Sequence, residues 1–227
     1  MEQILILASA SPRRKELIEQ MGLSPMIVKS RVEEKITKDT PSSVVMELSR
    51  QKAEDVKLHL VEYLVMQGIE DLSAPQDLEP TKDEIWNPDQ ALVLGADTVV
   101  AVDGKILGKP RTHAEAANMI RALQGRSHEV YTGVTIFGTL KDDQATDHNA
   151  SMGCSTFYEE TKVHVAAMTE EEILAYARTE EPMDKAGAYG IQGSFGKYIS
   201  GIEGDYYNVV GLPIAHVYQE LKKFLQL

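Results

Sequence analysis

Residues 4–15 read Ile4-Leu5-Ile6-Leu7-Ala8-Ser9-Ala10-Ser11-Pro12-Arg13-Arg14-Lys15. The unbroken apolar run Ile4 to Ala8 is the pattern of a strand buried on both faces, and Ser11-Pro12 then supplies cap and first-turn signals for a helix. A strand-to-helix junction therefore falls at Ser9 to Pro12. Leu17, Ile18 and Met21 give the helix an apolar face, and Gly22 closes it. Arg13, Arg14 and Lys15 crowd three cations into the first turn, where the helix dipole and the unpaired N–H groups favour negative charge. As local structure that placement is unfavourable. It becomes sensible if an anion such as a polyphosphate docks there, held by backbone N–H groups, the hydroxyls of Ser9 and Ser11 and an arginine fork. The competing reading is a solvated basic turn.

Outward from this junction, strands and helices alternate as in an α/β fold. A short strand is expected at Met26 to Val28. Thr40-Pro41-Ser42 opens a second helix with Val44, Val45, Leu48 and Val56 at helical spacing and Lys52 one turn beyond Leu48. Residues 68–90 hold seven acids and three prolines and read as an acidic loop insertion. Ala91 to Gly95 is a second buried-strand run, Thr98 to Val102 continues extended, and Asp103-Gly104 marks a hairpin before Lys105 to Gly108. A third helix, about 113–124, ends at Gly125. Glu129 to Phe137 and Ser155 to Ala167 are extended stretches flanking a polar loop, 138–154, that carries an Asn149-Ala150-Ser151 sequon. Thr169 and Glu172 form a capping box for a helix that fades before Pro182. Gly187, Gly190, Gly193 and Gly196 mark a loop with close backbone approach, and Val209 to Leu225 reads as one amphipathic closing helix.

Composition narrows the class. A chain of 227 residues, 43% hydrophobic and 26% charged, is that of a soluble globule able to bury a core without disulfide or structural metal. Cys154 is the only cysteine, which excludes an intrachain disulfide and favours a reducing compartment. The start lacks the basic region and apolar length of a signal peptide, and no window approaches the roughly 18 to 20 apolar residues of a membrane helix. A net charge of −12 repels nucleic acid and anionic lipid, so clustered cations need a local reason.

Asp97 interrupts an apolar strand, either ending it at a cleft or lying buried and paired. The cleft reading is the better one, because α/β sheets bind ligands beyond strand carboxyl ends. Glu33 and Glu34 could add a second carboxylate, a hard-oxygen set suited to Mg²⁺ or Mn²⁺. Lys109, stiffened between Gly108 and Pro110, and Lys52 and Lys185 are candidate phosphate cations. The six histidines show no metal-ligand spacing. No GxSxG elbow, Walker A loop or suitable GxGxxG is present, against serine hydrolase, P-loop and dinucleotide readings.

Five ordered motifs then resemble the Maf-type nucleotide pyrophosphatases: Ala8 to Arg14, Gly95 to Val100, Gly108-Lys109-Pro110, Glu181 to Gly193 and Asn208 to Pro213. Pro12-Arg13-Arg14 with Gly190-Ile191-Gln192-Gly193 looks like the dTTP/UTP branch rather than the 7-methylguanosine triphosphate branch. Phe157 to Lys162 looks like the eukaryotic relatives, including the Maf-like part of a methyltransferase-like fusion protein. The resemblance implies a single domain, residues 1–227, with an elongated α/β mixed-sheet fold of two lobes about a central cleft, similar to inosine triphosphate pyrophosphatases. It also implies cytoplasmic location, a divalent cation (Mg²⁺ or Mn²⁺), a nucleoside triphosphate substrate and, as is common in the family, a homodimer, while the charge and hydropathy above argue against nucleic acid and membrane as partners. By position, Asp97 matches the family's proton acceptor. Arg13, Thr98 and Gln192 match its substrate-choice residues, and Glu34, Lys52 and Lys109 its other polar site positions. Ser9, Ser11 and Arg14 would complete the substrate contacts, with Glu34 and Asp97 as metal ligands. The alternative is a regulatory module in cell division that binds nucleotide with little hydrolysis.

Overall fold

The computed structural model describes residues 4–67, 91–140 and 152–225. The expected insertion at 68–90, the sequon and most of the 138–154 loop lie outside those residues. Seven strands form one mixed α/β sheet: β1 (Leu5–Leu7), β2 (Met26–Ile27), β3 (Leu92–Val102), β4 (Lys105–Leu107), β5 (Ser127–Thr139), β6 (Met152–Val165) and β7 (Ile199–Glu203). Their order is β2-β1-β3-β5-β6-β7, with β4 also paired to β3. β1 runs parallel to β2 and β3, and all remaining pairs are antiparallel. The helices are α1 (Pro12–Gln20), α2 (Pro41–Met66), α3 (His113–Leu123), α4 (Glu170–Ala177), α5 (Tyr206–Val210) and α6 (Ile214–Leu221).

β3 organises the molecule. Its Ala96, Val100 and Val102 side chains share one face, and alternate residues take the other. On the first face two separate cores form: Leu92, Leu94 and Ala96 pack with Leu17 and Ile18 of α1 and Val217 and Leu221 of α6. Val100 and Val102 pack with Ile120 of α3, Ile173 of α4 and Phe195. On the opposite face Val93, with Ile6 and Ala8, packs with Ala53, Val56 and Leu60 of α2. Burial on both faces is why β1 reads as an unbroken apolar run.

α2 lies unusually close to the sheet because two glycines face it. A Cβ on Gly95 would come within 2.4 Å of the Ser49 carbonyl oxygen, and one on Gly133 within 2.3 Å of that of Val45. The Ser49 hydroxyl reaches across this contact to Thr135 Oγ1, 3.0 Å away.

Several expectations need correction. Val209 to Leu225 is not one helix: Gly211, at φ 126°, separates α5 from α6, and Leu212 and Pro213 bridge the gap. A left-handed glycine followed by proline ends a helix whatever the apolar period beyond it. Asp97 does not end a strand, since β3 runs through it to Val102. β5 and β6 extend past the expected limits to Thr139 and from Met152, shortening the loop between them. β7, with Gly201 at its centre, carries no alternating apolar signal and was not expected. Ser11 is the N-cap residue of α1, yet its side chain makes no capping hydrogen bond, while the Thr169–Glu172 capping box forms as expected.

Candidate active site

The edge of β3 that meets β1 is covered as far as Leu94, where Ala8 N–H donates to the Leu94 carbonyl at 2.8 Å, and again from Val100 by β4. Between them, Gly95 to Val99 has no strand on that edge among the described residues, and β5 lies along the other side. A cleft of about 700 Å³ opens there. It lies beyond the carboxyl end of β1, so Asp97 occupies a cleft and is also paired. Neither alternative read from sequence holds whole: Asp97 faces the cleft from within a continuing strand, half-buried and paired with Lys52.

Every candidate residue named from sequence other than Glu33 and Lys15 lines this cleft, and Lys15 instead lies 3.5 Å from Glu19. Lys52, from α2, points to Asp97: its ammonium donates to Asp97 Oδ1 at 2.5 Å and lies 3.1 Å from Glu34 Oε1. The Lys52 and Asp97 side chains are only 16% and 14% exposed, so water screens their attraction weakly. Glu34 is carried by the 30–37 segment, which α2 grips with three residues spaced four apart. Glu47 accepts from Thr37, Gln51 bonds both main-chain polar groups of Lys35, and Asp55 accepts from Ser30 and from the Arg31 N–H. That spacing places the three side chains along one stripe of the helix. Hydrogen bonds from Ser30, Arg31 and Tyr63 hold the Asp55 carboxyl below its usual range against the opposing effect of burial.

Across the cleft stand the α1 cations. Arg14 is half-buried and committed: it donates to the Gly211 carbonyl at 2.9 Å, Ser9 Oγ at 3.2 Å and Thr98 Oγ1 at 3.0 Å. Burial pushes its guanidinium down from the ordinary value, and the charge of Asp97 acts in the opposite direction. Thr98 and Thr132 hydroxyls lie 2.9 Å apart, and Thr132 donates to the Asn208 carbonyl, forming a polar row between the two cores. Arg13 sits 3.7 Å from Asp184, an exposed and weak pair. Lys109 has no hydrogen-bond or ion-pair partner among the described residues, which leaves its ammonium available to a ligand. Lys185 is engaged by the Glu181 carbonyl and Asp184, both at 2.6 Å, and is less available than sequence implied. Gln192 is exposed at the rim.

Six cationic and four anionic side chains line the cleft of a chain whose net charge is −12. Such a concave reversal of sign concentrates anions. Glu34 and Asp97 converge on one point charge, the Lys52 ammonium, and their oxygens suit Mg²⁺ or Mn²⁺. No group of three or more His, Cys, Asp or Glu side chains able to hold a metal occurs among the described residues. A cation held by these two carboxylates would need its further ligands from outside the described side chains of this type.

Sequence reasoning missed the roles of Glu181, Asp184 and the Glu47–Gln51–Asp55 stripe. Glu181 and Asp184 lay inside a quoted motif without a role. The stripe was legible only as helical spacing on α2.

The family model described as Maf-like protein matches residues 4–224. A dTTP/UTP pyrophosphatase of Agathobacter rectalis is 49% identical over 219 residues, covering 96% of each chain. Proteins of the same name from Lachnoclostridium phytofermentans and Bacillus mycoides are 42% and 44% identical over 97% of this chain, with 94% and 95% of their own lengths covered.

Proposed function

The chain belongs to the Maf-like protein family, and on that premise we propose that it is a nucleoside triphosphate pyrophosphatase that converts dTTP and UTP to the monophosphate and pyrophosphate. The observation that carries this reading is the Asp97–Lys52 pair at 2.5 Å inside a cation-lined cleft.

The polyphosphate tail enters between α1 and Lys109, with Arg13 and the free N–H groups of the first turn of α1 receiving its oxygens. It competes for Lys52, drawing the ammonium from Asp97 toward phosphate and releasing the carboxylate as a base. Asp97 accepts a proton from a water whose oxygen bonds to the α-phosphorus. The α–β bridging P–O bond breaks in line, and pyrophosphate leaves on the cationic side. Most of the acceleration comes from positioning and charge stabilisation. A divalent cation held by Glu34 and Asp97 would supply further neutralisation of the triphosphate charge. Gln192 presents an amide that both donates and accepts, matching the N3–H and O4 edge of uracil or thymine. Cytosine offers the opposite pattern, so the direction of the amide must be fixed.

The same reading makes the enzyme a cytoplasmic homodimer acting on free nucleotides, without nucleic acid or membrane. The net charge of −12 supports the exclusion of polyanions outside the cleft, and no helix among the described residues is long and apolar enough to cross a membrane. The test is pyrophosphate release from a panel of triphosphates, each with Mg²⁺ or Mn²⁺. Turnover of dTTP and UTP above CTP and the purine triphosphates is expected. Tight nucleotide binding without turnover would favour the regulatory module instead.

A further inference from the structure

Glu181 opens the turn Glu181–Asp184 that follows α4, and its carboxylate is a hub. Oε1 accepts from the Tyr176 hydroxyl at 3.1 Å. Oε2 accepts from the Ser194 N–H at 3.0 Å and the Ser194 hydroxyl at 2.6 Å. Gly193 admits it: a Cβ there would lie 2.1 Å from Oε1. The residue between Gly193 and Ile191 is Gln192, and the loop closes on itself through the Gly193 N–H to the Gly190 carbonyl, 3.1 Å. Burial opposes the charge on Glu181, yet the Ser194 and Tyr176 bonds hold its carboxyl below the usual range. Burial and the neighbouring Glu181 charge push the Tyr176 phenol up, keeping it a donor. Neither group has a part in the chemistry described above.

We infer that Glu181 is the positioning residue that fixes the Gln192 loop, so that a carboxylate contributed from beyond the end of α4 sets how the enzyme chooses its base. The inference rests on the proposed reading of Gln192 as the group facing the base edge. An exposed glutamine between Ile191 and Gly193, with no hydrogen-bond partner among the described residues, takes its direction from the main chain on either side. Glu181 supplies that restraint one residue beyond Gly193, by two charge-assisted bonds to Ser194. Lys185 adds to it from the other end, its aliphatic stem lying where a Cβ on Gly190 would be, 2.7 Å from Cε.

The full chain is compared with Glu181→Ala, Glu181→Gln and Gln192→Ala. kcat/KM is measured for UTP and for CTP, and hydrogen exchange is followed at the amides of residues 190–195. Glu181→Ala should lower the UTP-to-CTP ratio about tenfold, the order expected for a lost orienting hydrogen bond. It should also speed exchange at the Ser194 amide. Glu181→Gln should recover most of the ratio, because its amide oxygen can accept from Ser194 while its NH₂ group donates to the Tyr176 hydroxyl. A folded Glu181→Ala protein with the wild-type ratio, or with unchanged Ser194 exchange, overturns the inference. If Gln192→Ala keeps the ratio while Glu181→Ala loses it, the reading of Gln192 fails and that of Glu181 stands. Should Glu181→Ala fail to fold, Ser194→Ala and Tyr176→Phe remove the bonds singly and carry the same test.

Discussion

Replacing Gly95 by alanine probes the link between fold and chemistry without touching any group assigned to the reaction. The added Cβ would lie 2.4 Å from the Ser49 carbonyl oxygen and 2.9 Å from both the nitrogen and the Cβ of Ala53. All three atoms belong to α2, and the nearest is backbone, so no side-chain rotation relieves the clash. Ordinary carbon–oxygen contact needs roughly 3.4 Å, so α2 must retreat by about 1 Å, and such overpacking typically costs about 1 to 3 kcal/mol. The same retreat stretches the Lys52–Asp97 pair and the Ser49–Thr135 bond, which span the interface at 2.5 and 3.0 Å. A 1 Å misplacement at a catalytic centre can cost on the order of a hundredfold in rate. Urea denaturation should therefore show the stability loss, and pyrophosphate release from dTTP a fall in kcat/KM of about a hundredfold. Gly201→Ala, whose Cβ would meet only His164 Cδ2 at 3.8 Å, serves as the control and should change neither. Wild-type activity in Gly95→Ala would refute the claim that the glycine contact sets the distance from Lys52 to Asp97.

Two other perturbations test separate parts of the account. His128 is fully buried, with Nε2 2.8 Å from the Tyr189 hydroxyl and no partner on Nδ1 among the described residues, and burial lowers its pKa to about 4. Between the ordinary value of 6.5 and about 4 the unfolded chain binds this proton and the folded one does not, so stability should fall as pH falls through that window, by up to about 3 kcal/mol. His128→Leu should flatten the slope of unfolding free energy against pH there, and an unaltered slope would dismiss His128 as its source. Asp55→Ala removes bonds to Ser30, Arg31 and Tyr63 from a side chain only 10% exposed, and should cost about 1 to 3 kcal/mol. Because the freed segment carries Glu34, kcat/KM should drop about tenfold or more. A destabilised variant with full kcat/KM would show that Asp55 does not position Glu34.

What could be read from the sequence was local. The β1–α1 junction, the Asp103-Gly104 hairpin and the Thr169–Glu172 capping box are written in adjacent residues, and each forms. Arg13 and Asp97 stood out because each violates its local pattern: cations at the wrong end of a helix and a carboxylate in an apolar strand, whereas Gln192 came only from the family resemblance. Pairings between distant segments left no such mark. Asp97 is kept inside β3 by Lys52, 45 positions earlier, so the strand continues where its own residues argued for an end. Glu181 looked like one more acid ahead of a proline, although Ser194 makes it a hub 13 positions later. The break at Gly211 was written locally, but the apolar period of the last segment outweighed it.

At the centre of the account is Asp97 as the group that takes the proton from the attacking water. The measurement that tests it most directly is the rate of pyrophosphate release from dTTP by Asp97→Asn, with circular dichroism on the same sample to establish folding. A folded protein slowed by about a thousandfold or more is the predicted result. A folded protein turning over within tenfold of the wild-type rate contradicts it.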